Sequence, residues 1–130
     1  MIVLIALYPV EKNTVPNNSM QPLLYQGDEI WGLKSGKYTK GNIVVIRIPT
    51  VREDYEVLVG RVYGVPKDKI RVYSNKIEVN GTVVKILNDE MKSEEFILNK
   101  DEYLIIPDAT DSVWMKVDKR LINSRMEGKL

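Results

Sequence analysis

Short apolar runs separated by polar turns dominate the chain, and their period is that of strands rather than helices. Ile43-Val44-Val45-Ile46-Arg47-Ile48 is a β-branched run bounded by Gly41 and Pro49, and Glu56-Val57-Leu58-Val59 follows the charged turn Arg52-Glu53-Asp54. The two read as a hairpin. Ile70-Arg71-Val72-Tyr73 and Lys76-Ile77-Glu78-Val79 alternate about Ser74-Asn75, and Asn80-Gly81 leads into a run from Thr82 to Leu87. Asn-Gly between alternating runs is a strong hairpin signal, because both residues tolerate positive φ. The same Asn80-Gly81-Thr82 is a glycosylation sequon, but a tight turn explains it without modification. Glu102 to Ile106 forms a late strand that Pro107 ends. Only Asn88 to Lys100, with Met91, Phe96 and Ile97 among acids and lysines, departs from the pattern and predicts a short helical or irregular excursion. Lys34 to Lys40 reads as a solvated hairpin loop. The fold class predicted is all-β, mainly antiparallel, with bent sheets in a barrel-like arrangement and little helix.

The first ten residues, Met1 to Val10, are apolar but far short of the roughly 20 that cross a bilayer as a helix. They lack a basic leading segment and a cleavage site. Their β-branched residues predict a buried first strand.

Composition narrows the chemistry. A chain of 130 residues with 44% hydrophobic content fits one domain, 1–130, with enough material for a core. Nineteen basic and 18 acidic residues give a net charge of +1 and are interspersed, so no nucleic-acid footprint is expected. Cysteine and histidine are both absent. That removes disulfides, the commonest metal ligands and the Ser-His arrangement, so neither metal nor cofactor is expected.

The candidate chemistry lies in Asn18-Ser19-Met20-Gln21-Pro22-Leu23-Leu24-Tyr25-Gln26-Gly27-Asp28, which sets a serine in a turn before a strand. Turn chemistry alone accounts for such a cluster. Further segments follow in order: Gly41-Asn42-Ile43-Val44-Val45, then Val59-Gly60-Arg61-Val62-Tyr63-Gly64-Val65-Pro66-Lys67-Asp68-Lys69-Ile70, then Pro107-Asp108-Ala109, and last Asn123-Ser124-Arg125-Met126-Glu127-Gly128. Together they resemble the boxes of the type I signal peptidases, serine-lysine proteases that remove signal peptides at the outer face of the membrane. The resemblance covers most of the chain. It implies a nucleophile position at Ser19, structural roles for Gly27, Asp28, Arg61, Asp108, Asn123, Ser124 and Arg125, and a signal-peptidase-like bent-sheet fold.

The departures bear on activity. Leu23 stands where the family pattern has Thr. The family's catalytic Lys precedes the Arg of the third box, and here that position is Gly60, 41 positions (60 − 19) after Ser19. A serine hydroxyl is a poor nucleophile until a base takes its proton. A lysine can do so only when burial lowers its pKa from about 10.4. Val57, Leu58, Val59 and Val62 would suit such a site, but glycine accepts no proton and the Arg61 guanidinium stays charged. By position alone, Lys34, Lys37, Lys40 and Lys116 are candidate substitutes. Asn123 replaces the aspartate expected to support Arg125. The interval from Asp108 to Arg125 is 17 positions (125 − 108), longer than the family pattern, with the excess between Asp111 and Arg120.

The resemblance further implies a groove lined by Asn17, Asn18, Met20 and Pro22 with Val57, Leu58 and Val59. Its edges would be Val15 to Ser19 and Val57 to Gly60, pairing an extended peptide by added-strand hydrogen bonds. Loss of a side chain at Gly60 predicts a wider groove. Trp31, Tyr25 and Trp114 are expected either in the core, where a small β-domain commonly spends its aromatics, or facing the membrane, for which Trp31 is the better candidate. An upstream transmembrane anchor is implied, with the domain on the extracytoplasmic side of the cell membrane. The expected function is that of the degenerate signal-peptidase-like proteins of Gram-positive pilus loci: binding without cutting. Partners would be a pilin precursor or another signal-peptide-bearing protein, a sortase and the membrane surface. Two alternatives are an active peptidase with a displaced base and a repressor-type autoprocessing module, which would need a DNA-binding partner domain.

Overall fold

The computed structural model describes residues 9–109 and 113–130, so the apolar segment 1–8 lies outside the described residues. Eleven strands follow in chain order: β1 (Val10–Thr14), β2 (Glu29–Leu33), β3 (Ile43–Pro49), β4 (Tyr55–Gly64), β5 (Lys69–Tyr73), β6 (Lys76–Val79), β7 (Thr82–Ile86), β8 (Glu94–Ile97), β9 (Glu102–Ile106), β10 (Met115–Asp118) and β11 (Ile122–Lys129). They build a seven-stranded sheet in the order β1-β2-β11-β3-β4-β9-β10 and a four-stranded sheet in the order β7-β6-β5-β8. Each described pairing is antiparallel. The class is all-β, as the hydrophobic pattern predicts. Among the described residues no helix is long and apolar enough to cross a membrane.

The hairpins lie where the turn residues put them. β3 and β4 pair from Ile43↔Arg61 to Pro49↔Tyr55, with Glu53 at φ 64 in the intervening turn. β6 and β7 join through Asn80 at φ 51 and Gly81 at φ 86, the left-handed pair that a tight hairpin turn requires. The expected excursion at Asn88 to Lys100 is in part a strand. β8 pairs with β5 from Val72↔Glu94 to Lys69↔Ile97, its charges remaining exposed. The single helical turn described, Lys119–Leu121, falls instead in the excess segment. Lys34 to Lys40 is an irregular loop, yet Tyr38 leaves it to pack edge-on against Tyr103 at 5.6 Å.

Three apolar clusters follow from strand alternation. Val44, Ile46, Val62 and Ile105 meet Tyr38, Val117 and Ile122 on one face of the large sheet. Val45 and Val59 point the other way and meet Val15, Met20, Leu24 and Ile30. The third cluster joins Leu104 and Ile106 of β9 to Ile70, Val72, Ile77 and Val79 of the small sheet. β9 is therefore buried on both faces, which explains its continuous apolar run. Burying side chains of this kind stabilises by about 1.5–3 kcal/mol each relative to exposure.

Candidate functional site at Ser19

Ser19 sits in a turn fastened by its asparagines. Its N–H donates to Asn17 Oδ1 at 3.0 Å, and Asn18 Oδ1 accepts from the Gln26 N–H at 2.8 Å. The turn closes on Gly27, at φ 92, and on Asp28, whose carboxylate accepts from the Tyr25 N–H at 2.9 Å. That bond, with Lys129 nearby, holds Asp28 below the usual carboxylate pKa against a smaller opposing effect of burial. Met20 and Leu24 are fully buried beneath the turn. Met20 is thus a core residue rather than a groove wall, and Pro22 lies exposed on the turn.

The Ser19 carbonyl accepts from the Ala109 N–H at 2.9 Å, which places the Pro107–Ala109 segment against the turn. Asp108 fixes that segment. Its carboxylate takes two hydrogen bonds from Arg61, each 2.9 Å, and Arg61 also donates to the Gly41 carbonyl. The paired carboxylate raises the Arg61 pKa further. The Asp108 carbonyl accepts from Lys85 Nζ at 2.9 Å. Burial, and then the Asp108 charge, push the nearby Tyr63 phenol upward.

Between the turn and β4 lies an open cavity of about 250 Å³ lined by Asn17, Ser19, Leu58, Val59, Pro107, Val113 and Met115. Among the described residues its strand wall has a partner strand on one side alone. β9 pairs with β4 at Arg61↔Ile106, Val62↔Ile105 and Gly64↔Leu104, and beyond Ile106 the chain turns off at Pro107 toward Ser19. Among the described residues, Tyr55 to Gly60 therefore has β3 on one side and no strand on the other. The opposite wall differs from the expected second strand edge: Val15 to Ser19 is not a strand, with Val15 buried, Asn17 and Asn18 exposed, and a turn beginning at Ser19. Val15 donates to the Asp28 carbonyl and accepts from the Gly27 N–H. Val57 packs with the cluster around Met20.

Gly60 does not widen the cavity. A Cβ there would run into Ile105 Cγ2, so Ile105 already fills the space where a side chain would begin. The expected substitute lysines are engaged or placed elsewhere: Lys40 pairs with Asp68 at 3.1 Å, Lys116 with Glu102 at 3.7 Å, Lys34 borders a different depression with Arg47 and Arg120, and Lys37 is exposed in the 34–40 loop and does not line the Ser19 cavity. Among the described residues no titratable side chain lines the Ser19 cavity and none hydrogen-bonds the Ser19 hydroxyl. No group of acids that could hold a metal occurs among them either.

Asn123, Ser124 and Arg125 belong to another network. Asn123 Oδ1 accepts from Asn13 Nδ2 at 3.0 Å, Asn13 Oδ1 accepts from Arg47, and Arg125 pairs with Glu127 at 2.8 Å. Ser124 is buried in β11. Trp31 is half-buried, its indole nitrogen 3.0 Å from where a Cβ on Gly128 would stand, and Trp114 stacks on Phe96 at 5.6 Å.

Sequence reasoning assigned no role at the site to Ile105, Lys85 or the cavity residues Pro107, Val113 and Met115. The last two belong to the excess segment, whose β10 continues the sheet beside β9, with Met115 opposite Ile105. The length of that segment was the available signal. Its place beside the cavity depends on pairing that no local pattern announces.

Comparison with known proteins gives a consistent picture. The family model described as signal peptidase, peptidase S26, matches residues 1–123. The signal peptidase IB proteins of Staphylococcus aureus strains Mu50, N315 and MW2 are each 34% identical over 85 residues, 62% of this chain and 42% of theirs. The match thus spans less than half the length of those relatives.

Proposed function

Because this chain belongs to the signal peptidase family, peptidase S26, we propose that it binds an extended peptide in the Ser19 groove and does not cut it. One observation carries this reading: Ile105 occupies the space beside Gly60, the residue that the resemblance sets at the position of the family's lysine. Serine without a base within reach remains a weak nucleophile. The Tyr55–Gly60 edge supports binding, since among the described residues no strand pairs with its outer side, which an added strand could then pair. On this reading the peptide belongs to a pilin precursor or another signal-peptide-bearing protein, and the protein acts in pilus assembly with a sortase. That assignment rests on resemblance to degenerate signal-peptidase-like proteins. The domain is proposed to be extracytoplasmic and held to the cell membrane by a single upstream anchor.

A second reading, serine proteolysis with a displaced base, draws on Lys85. Its ammonium sits on the Asp108 carbonyl, one residue before the Ala109 N–H that binds the Ser19 carbonyl. The two readings separate in a cleavage assay. Wild type, Ser19→Ala, Lys85→Met and the double variant Gly60→Lys/Ile105→Ala are incubated with a signal-peptide-bearing pilin precursor, and products are read by mass spectrometry. The expected result is an intact precursor with the wild type. Cleavage by the wild type that both Ser19→Ala and Lys85→Met abolish would replace the binding reading with the catalytic one. The double variant supplies a lysine together with the room it needs.

A further inference from the structure

We infer that the groove selects a peptide carrying a long aliphatic side chain, and that the selecting wall is built by the inserted segment through Val113 and Met115. This rests on the peptide-binding reading above and specifies its ligand. Leu58, Val59, Pro107, Val113 and Met115 make the cavity wall apolar, and among the described residues only Asn17 and Ser19 bring polar side chains to it. With no charged side chain among the described residues of the wall to pair with it, an ionised side chain entering there would lose its hydration uncompensated. The cavity of about 250 Å³ falls below the roughly 300–1,000 Å³ of small-molecule sites, which suits a side chain rather than a whole ligand. The cavity is continuous with the unpaired half of β4, where an occupant can satisfy the strand's backbone groups. The occupant is therefore a strand with an apolar residue turned inward.

The position of the wall in the chain explains its specificity. Met115 is held by pairing with Ile105 and is half-buried. Methionine, unbranched and polarisable, packs against irregular apolar shapes. Val113 is 69% exposed and lines the cavity, so a long side chain seated there would cover more of it than alanine can. A methylene in an apolar site is worth about 10-fold or more in discrimination.

The test uses fluorescein-labelled peptides of serine and threonine with one guest residue, Ala, Leu, Met, Lys or Asp, titrated with the intact protein and read by anisotropy. Leu and Met guests are expected to bind at least about tenfold more tightly than Ala, with Lys and Asp weakest. Met115→Ala should erase most of that preference. Val113→Asp changes an exposed position and so leaves folding intact. It should weaken the Leu guest and strengthen the Lys guest. Equal affinities for all guests, or preference for Ala, would overturn the inference while leaving peptide binding in place. No binding by any guest would overturn both. A Leu preference unchanged in Val113→Asp and Met115→Ala would move the selecting wall elsewhere and also refute the inference.

Discussion

At Gly60 the absence of a side chain is structural as well as chemical. Ile105 is completely buried and its Cγ2 lies in the path of any Cβ at residue 60. Gly60→Ala should therefore destabilise by about 1–3 kcal/mol through overpacking, and Ile105→Ala by about 2–5 kcal/mol through the cavity it leaves. The double variant should cost clearly less than the two added together, because each change relieves the other. Urea denaturation of the three variants measures this, and strict additivity would show that the two positions do not share space. Ser19→Ala should stay within about 0.5 kcal/mol of wild type, since the hydroxyl supports no described hydrogen bond while the backbone of the same residue holds the turn.

Among the elements, strands with one face in a core and residues suited to their turns were legible from sequence: β3 with β4, β5 with β6 and β7, and β9. β11 was not. It lies in the middle of the large sheet between β2 and β3, yet its residues Ile122–Lys129 are mostly polar. Its polar side chains are accommodated by distant partners, as Asn123 is by Asn13, and local alternation carries no record of those. β1 was missed for a similar reason, its VEKNT sequence being that of an edge. The Ser19 turn and the Pro107–Ala109 segment that meets it were legible as motifs, whereas the cavity's far wall, Val113 and Met115, depended on how the inserted segment paired. Asp68 shows how one element end can hold several. Burial acts to raise its pKa, but hydrogen bonds from the Val65 N–H and Asn80, with Lys40, outweigh burial and hold it below the ordinary 3.8. In the unfolded chain Asp68 binds its proton more readily, so its stabilisation is present above about pH 4 and fades as pH falls through the lower folded value. Asp68→Asn should cost about 1–3 kcal/mol at pH 7 and flatten the acid limb of stability measured by urea midpoints between pH 7 and pH 2. An unchanged acid limb would remove Asp68 as its source.

Across the whole molecule, Asp108 joins what the sheets hold apart. Arg61 reaches it from the large sheet and Lys85 from the small one, while the neighbouring Ala109 holds the Ser19 turn. Lys85→Met should therefore speed hydrogen exchange at the Ala109 amide and in the Ser19–Leu24 turn, with about 1 kcal/mol or less lost globally. Exchange unchanged at those amides would sever the two sheets' influence on the turn. The unpaired half of β4 carries one more consequence. An open strand is also a place where sister molecules can stack into continuous sheet. Here the open length is short, and it leads out to Arg52, Glu53, Asp54 and Glu56, all exposed. Joining a second copy would strip water from these charges, whereas a foreign strand seated nearer Ser19 leaves them wet. On the proposed peptide-binding reading, resistance to self-association and access for a ligand are thus set by opposite ends of the same strand.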